Sequence, residues 1–277
     1  MNSPPLISAS EAISSRSDTV FLDARAGPGT TEAYETAHLP GAVRVDLESH
    51  LSTPTDPAAG GRHPLPPLEV WLSRLGDWGV TPSHQVIVYD DAGGGMAAAR
   101  AWWMLQAIGH PRLAVVNGGW RALRQLRAPT ESGHSGARSV GSYPSAVGRW
   151  PTVDAGFVER VRSDPSWRLI DARAPGRYDG TTEPLDPVAG HIPEARNLYW
   201  QSQLDSSGLF DSVDTLRGRF AEILGDVPPK QVVCYCGSGV TACHLLLAME
   251  ACGLRGAQLY VGSWSEWCRQ KRPGASG

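Results

Sequence analysis

Short apolar runs closed by polar, glycine-bearing turns alternate along this chain with longer stretches of helical character, which predicts strands and helices in succession. Val232-Val233-Cys234-Tyr235 is one such run and predicts a strand. It stops at Cys236, which opens the loop Cys236-Gly237-Ser238-Gly239-Val240-Thr241, and Ala242-Cys243-His244-Leu245-Leu246-Leu247-Ala248-Met249-Glu250 then reads as a helix. The pattern occurs twice. Val86-Ile87-Val88-Tyr89-Asp90 parallels Val232-Val233-Cys234-Tyr235-Cys236 at an offset of 146 residues, whereas Gly109 and Trp120 parallel Gly253 and Trp264 at 144, so the first loop is two residues longer. Upstream, Phe21-Leu22-Asp23-Ala24-Arg25 answers Leu169-Ile170-Asp171-Ala172-Arg173, and Ala37-His38-Leu39-Pro40 answers Gly190-His191-Ile192-Pro193. Strands alternating with helices predict an α/β fold, with one parallel sheet flanked by helices in each half. The stretch 127–151 is rich in Gly, Ser and Pro and reads as a linker between a first domain at 1–126 and a second at 152–277.

At 277 residues the chain is long enough for two domains, each with its own core. A net charge of -3 offers no basic field, so nucleic acid is not an expected partner. No apolar run approaches bilayer length, and Met1-Asn2-Ser3-Pro4-Pro5 lacks the basic and apolar regions of a signal peptide; no membrane partner and a cytoplasmic location are expected. The five cysteines (Cys234, Cys236, Cys243, Cys252 and Cys268) are odd in number and clustered, unlike a disulfide framework. Their spacing lacks paired zinc-ligand motifs, so no metal is expected. Cys234 and Cys243 read as core residues, whereas Cys252 and Cys268 are candidates for exposure and oxidation.

Cys236 carries the chemistry. A free cysteine has a pKa of about 8.5, so only roughly 3% is thiolate at neutral pH. At a strand-to-helix turn, inward-pointing backbone N–H groups favour the anion. The loop Cys236-Gly237-Ser238-Gly239-Val240-Thr241 resembles the active-site loop of the rhodanese (sulfurtransferase) family, and in particular its 3-mercaptopyruvate branch. Gly61-Arg62-His63-Pro64-Leu65-Pro66, Ala101-Trp102-Trp103-Met104, Asn117-Gly118-Gly119-Trp120 and Gly262-Ser263-Trp264-Ser265-Glu266-Trp267 extend the resemblance over nearly the whole chain.

The resemblance implies two tandem rhodanese-like domains and a Cys236 persulfide. Its sulfane sulfur would come from 3-mercaptopyruvate or thiosulfate and pass to a thiol or cyanide, with a thioredoxin-like reductant as a further partner. No cofactor is implied. Asp90 cannot form a persulfide, so the first domain is expected to be catalytically silent, and its longer loop is expected not to converge its amides on position 90. In the family such a domain still supplies a wall of the cleft.

Arg177, after the Asp-Ala-Arg turn, matches the family arginine that binds the donor's anionic end, a task suited to a planar, permanently charged fork. The family's second arginine is missing from Thr181-Thr182-Glu183-Pro184-Leu185-Asp186-Pro187, leaving Arg196 or Arg62 as replacements. Ser238 could hydrogen-bond a donor carbonyl or the thiolate, and the resemblance makes His38 the candidate histidine to act with it, whereas its match to His191 in the equivalent turn favours a repeated structural role for both. Because Gly237 and Ser238 are uncharged, the loop suits 3-mercaptopyruvate better than the dianion thiosulfate.

The alternatives are a thiosulfate-preferring rhodanese and a non-enzymatic sulfur-carrier or redox-sensing protein. A cysteine phosphatase would need an arginine six positions after the cysteine, where Ala242 stands.

Overall fold

A computed structural model of the chain describes residues 4–15, 17–136, 139–145 and 148–277. Met1, Asn2 and Ser3 of the N-terminal reading, and residues 137–138 and 146–147 of the stretch read as a linker, lie outside them. Two compact units are present. The first takes in Met1–Ser52, Pro66–Trp150 and Ser206–Phe210; the second takes in Thr53–Leu65, Pro151–Asp205 and Asp211–Gly277.

In the first unit the order is β1 (Leu6–Ile7), α1 (Ala9–Ile13), β2 (Thr19–Asp23), α2 (Thr30–Thr36), β3 (Val43–Arg44), α3 (Leu68–Asp77), β4 (Gln85–Tyr89), α4 (Ala97–Ala107), β5 (Leu113–Val116) and α5 (Gly119–Gln125). The second repeats it as β6 (Thr152–Val153), α6 (Ala155–Val161), β7 (Arg168–Asp171), α7 (Pro175–Asp179), β8 (Arg196–Asn197), α8 (Val213–Leu224), β9 (Val232–Tyr235), α9 (Thr241–Ala251), β10 (Gln258–Tyr260) and α10 (Ser263–Arg269). Each sheet is parallel and five-stranded, in the orders β1-β5-β4-β2-β3 and β6-β10-β9-β7-β8.

Burial explains why these sequences form these elements. All four β9 residues are buried, as an interior strand covered on both faces requires, and β-branched Val232 and Val233 suit it. Helix α9 is buried all round from Ala242 to Met249, His244 included, whereas α8 buries one face through Leu216, Phe220, Ile223 and Leu224. Ser212 caps α8 by accepting the Thr215 N–H at 3.2 Å. Around β9, Val233, Tyr235, Leu169, Ile192, Tyr260, Trp264 and Trp267 form the core of the second unit.

The Asp-Ala-Arg and His-apolar-Pro turns explain each other. Arg173 Nη2 donates to Asp171 Oδ2 at 2.6 Å and to Gly190 O at 2.7 Å, tying the end of β7 to the turn that holds His191. Arg25 does the same with Asp23 and Ala37 O, at 2.6 and 2.9 Å. Both guanidinium groups also lie over a tryptophan, Trp264 at 5.1 Å and Trp120 at 4.5 Å. These arginines are structural, each tying the end of a strand to the turn that follows it. Breaking either buried pair by removing one partner would leave an uncompensated charge, at a cost of about 3 to 5 kcal/mol.

Candidate active site

Cys236 follows the last residue of β9, at the carboxyl end of an interior parallel strand, the edge where open α/β sheets place their ligands. The loop is held from outside. Trp264 N donates to Cys236 O at 3.0 Å and Ser265 N to Gly237 O at 3.0 Å, while the Cys236 N–H donates to Ser263 Oγ at 3.1 Å. With its carbonyls turned toward α10, the loop can turn a later N–H inward: Gly239 N donates to Cys236 Sγ at 3.1 Å. That turn requires glycine. Gly239 has φ +75°, and a β-carbon there would sit 2.5 Å from Val261 O. Val240 precedes the helix and Thr241 is its first residue, so the N–H that meets the sulfur lies just ahead of α9.

Ser263 occupies a left-handed backbone conformation, φ +55°, the same value as Gly119 at the equivalent place in the first unit. A serine in a glycine conformation is strained. Its hydroxyl bridges the Cys236 N–H to Tyr260 O, at 3.1 and 2.9 Å.

Ser238 is buried, and its Oγ lies 2.7 Å from His63 Nδ1. His63 comes from the Thr53–Leu65 segment of the second unit. This segment is seated by close backbone packing. A β-carbon on Gly61 would lie 2.4 Å from Gly262 O, Arg62 N donates to Ser265 Oγ at 3.1 Å, and Gln270 Nε2 donates to Ala58 O at 2.9 Å.

His38 stands elsewhere, in the first unit. It is fully buried, stacked on Tyr34, with Nδ1 2.7 Å from Tyr34 O and Nε2 3.2 Å from Glu131 Oε1. His191 repeats that arrangement against Tyr178, with Nδ1 2.8 Å from Tyr178 O. The histidine brought to Ser238 is therefore the one in the Gly61-Arg62-His63-Pro64 motif. Sequence reasoning quoted this motif without assigning His63 a role.

Arg177, on α7, is held by two carboxylates. Its Nε and Nη2 donate to Glu183 at 3.1 and 2.7 Å, and Nη2 reaches Asp186 Oδ2 at 3.3 Å. The segment that lacks a second arginine thus supplies carboxylates that orient the first. Asp186, with a fully buried side chain, also accepts from Arg62 Nη1 and, at 2.6 Å, from Arg269 Nη1. Arg196 points away, donating to Ile223 O at 2.9 Å.

The Asp90 loop overturns one expectation. Its amides do converge: Asp90 Oδ1 accepts from Ala92 N at 3.0 Å and Gly94 N at 2.7 Å, and Oδ2 accepts from Met96 N and Ala98 N, each at 3.1 Å. The two extra residues let the chain wrap a carboxylate one bond longer than a thiol. Burial pushes the Asp90 carboxyl above its usual range, and the four N–H groups oppose that.

The remaining cysteines form no disulfide and are buried, and burial leaves Cys252 and Cys268 without the exposure that oxidation favours. Burial pushes the Cys234, Cys252 and Cys268 thiols up from the ordinary value, which makes them poorer nucleophiles. Among the described residues no cluster of His, Cys, Asp and Glu could hold a metal ion, and no helix is long and apolar enough to cross a membrane.

Comparison with known proteins finds one domain family matched twice along the chain. The rhodanese-like domain profile matches residues 8–126 and 155–270. A Pseudomonas aeruginosa protein named as a probable 3-mercaptopyruvate sulfurtransferase is 39% identical over 286 residues, covering 100% of both chains. A rat thiosulfate sulfurtransferase is 33% identical over 253 residues, covering 89% of this chain and 83% of its own. The solved 3-mercaptopyruvate sulfurtransferase from Leishmania major superposes with a TM-score of 0.85 at 27% identity, covering 97% of this chain and 75% of that one.

Proposed function

The chain belongs to the rhodanese-like family of sulfurtransferases, and from that premise we propose that it carries sulfane sulfur on Cys236. The 3.1 Å bond from Gly239 N to Cys236 Sγ is the observation that carries this reading, because it stabilises negative charge on the sulfur in the resting loop.

With 3-mercaptopyruvate as donor, the Cys236 thiolate attacks the donor thiol sulfur. The new S–S bond forms as the donor C–S bond breaks, and that electron pair moves onto the carbon as an enolate. The Ser238 hydroxyl, beside His63, donates to the enolate oxygen, and a proton then reaches the carbon to give pyruvate. In the second half an acceptor thiolate takes the outer sulfur and returns Cys236 as thiolate; cyanide would do so to give thiocyanate. The acceptor class is a small thiol or a thioredoxin-like protein, and the reaction is assigned to the cytoplasm.

The preference for 3-mercaptopyruvate over thiosulfate is supported by the pairing of Ser238 with His63, which suits a donor bearing a ketone. It is also supported by charge. Arg62, Arg173, Arg177 and Arg269 are matched by Asp171, Glu183 and Asp186, so this cluster retains a single positive charge for the donor.

Mass spectrometry of the full chain after exposure to each donor is the test, with kcat/KM for both donors. One added sulfur on Cys236, absent from Cys236→Ser, is expected. Retained turnover in Cys236→Ser, or sulfur mapping to another cysteine, would overturn the assignment. A kcat/KM for thiosulfate at or above that for 3-mercaptopyruvate would reverse the donor preference alone.

A further inference from the structure

Ser265, fully buried near the start of α10, bonds to two separate stretches of the chain. Its N–H donates to Gly237 O at 3.0 Å, and its Oγ accepts the Arg62 N–H at 3.1 Å. Gly237 is the residue before Ser238, and Arg62 is the residue before His63. The two side chains that meet at 2.7 Å therefore each follow directly on a residue bonded to the same serine. The hydroxyl is not free to turn, because it donates to Gly262 O at 3.0 Å and so presents a lone pair to Arg62. Close backbone approach reinforces the contact: Gly61 has φ +83°, and a β-carbon on it would lie 2.9 Å from Ser265 Oγ. Next along the helix, Glu266 accepts the Gly60 N–H and, at 2.7 Å, the Tyr260 hydroxyl. The Thr53–Leu65 stretch has one short 3-10 turn of its own, Pro57–Ala59, so its course is set by what it leans on.

We propose that Ser265 is a positioning residue for the chemistry at the donor carbonyl: holding Gly237 with its N–H and Arg62 with its hydroxyl, it fixes the distance between Ser238 Oγ and His63 Nδ1. This rests on the reading of the Ser238 and His63 pair as the group that protonates the enolate oxygen. A misplacement of about 1 Å at a reacting pair can cost on the order of 100-fold in rate. The two contacts of Ser265 serve different steps. Its backbone bond to Gly237 survives a side-chain change and supports the cysteine loop with any donor. Its hydroxyl bond serves the histidine, which matters only for a donor with a ketone beside its transferable sulfur.

The test is Ser265→Ala in the full chain, compared with His63→Ala and the double variant, using both donors and cyanide as acceptor. Ser265→Ala should lower kcat with 3-mercaptopyruvate about 10- to 100-fold and change KM less, because the lost contact acts on the reacting pair rather than on donor binding. Thiosulfate turnover should change far less. The double variant should be no slower than His63→Ala, since the hydroxyl acts through the histidine. Equal losses with the two donors, further loss in the double variant, or unchanged kcat in Ser265→Ala would each overturn the proposal.

Single-turnover measurements separate the half-reactions. Persulfide formation from 3-mercaptopyruvate should slow in Ser265→Ala, whereas sulfur release to cyanide from chain preloaded with thiosulfate should keep its rate. Slowing of both halves would make Ser265 a support of the cysteine loop and overturn the proposal. Failure of the underlying reading looks different. If His63→Ala leaves 3-mercaptopyruvate turnover intact, the role of the pair falls and this assignment with it; if His63→Ala is slow and Ser265→Ala is not, only the assignment to Ser265 falls.

Discussion

His63 Nδ1 lies 2.7 Å from Ser238 Oγ, although 175 positions of sequence separate the two residues. The hydroxyl is buried and has a ring nitrogen as its partner, so its orientation is set before a donor arrives. If the pair acts on the donor carbonyl as a unit, Ser238→Ala and His63→Ala should each lower kcat with 3-mercaptopyruvate by about 100-fold or more, the usual size of general acid–base assistance. The double variant should fall no further than either single one. Thiosulfate has no carbonyl, and its turnover should change far less. Equal losses with both donors would show that the pair supports the loop instead.

Ser263→Gly isolates the support under the cysteine. Glycine removes the strain of a serine at φ +55°, worth about 1 to 2 kcal/mol, and loses the buried hydroxyl that accepts the Cys236 N–H, worth about 1 kcal/mol. Stability, read from denaturant midpoints, should therefore stay within about 1 kcal/mol of wild type. Activity should fall several-fold, because the loop that aims Gly239 N at the sulfur loses a tether. Full activity would show that the Trp264 and Ser265 amides suffice.

Asp90→Ala should destabilise the first unit by about 3 kcal/mol or more, since four N–H groups, two of them buried, lose their acceptor together. Asp90→Cys should still add no turnover. Its loop presents Asp91 where the second unit has Gly237, and an acidic neighbour repels an anionic donor. Persulfide counting by mass spectrometry checks this: two sulfurs per chain would show that converging amides alone make a site.

Arg177→Ala should cost on the order of 1.5 to 3 kcal/mol in kcat/KM with 3-mercaptopyruvate, the range for a hydrogen bond to a charged group. Gly237→Ala tests the same arginine from the loop side. Its methyl would sit within 3.0 to 3.3 Å of three guanidinium nitrogens, so KM should rise for both donors. Gly237→Arg, which loop charge alone would suggest as a route to thiosulfate, should lose both donors, because the new cation meets Arg62 and Arg177. A gain in thiosulfate turnover would contradict this.

His110 should make the first unit acid-sensitive. Burial lowers its pKa from 6.5 to about 4, with Nδ1 2.8 Å from the Tyr143 hydroxyl. The unfolded chain therefore binds more protons than the folded one between those values, and stability is lost as pH falls from about 6.5 to about 4. The loss approaches 3 kcal/mol at most. His110→Gln should flatten the acid limb of a plot of denaturant midpoint against pH. An unchanged slope would assign that limb to other groups.

The two-fold α/β architecture was legible in the sequence because its determinants are local and repeated. Val86-Ile87-Val88-Tyr89 and Val232-Val233-Cys234-Tyr235 are short, rich in β-branched residues and closed by turns, which marks them as strands, and the matched Asp-Ala-Arg turns point to two equivalent sheets. Cys236 and Gly239 were legible for the same reason. A strand end, a turn and a helix start are contiguous in the chain, so the glycine spacing already states where the backbone must bend.

The partners of that loop were decided only by tertiary structure. His63, Arg62 and Asp186 lie in segments without periodicity, and nothing local distinguishes them from other polar loop residues; close packing of Gly61 on Gly262 seats the first two, and Asp186 is met by the arginines it accepts from. His38 had the more conspicuous motif, yet burial against Tyr34 and Glu131 absorbs both of its ring nitrogens. Asp90 teaches the same lesson in reverse. Counting residues suggested a loop too long to close, whereas the folded chain closes it around the carboxylate, since its four amides, two of them buried, need acceptors and Asp90 supplies them. Sequence determines what bonds to its near neighbours. Which distant groups meet depends on how buried donors and charges are satisfied once the cores have formed.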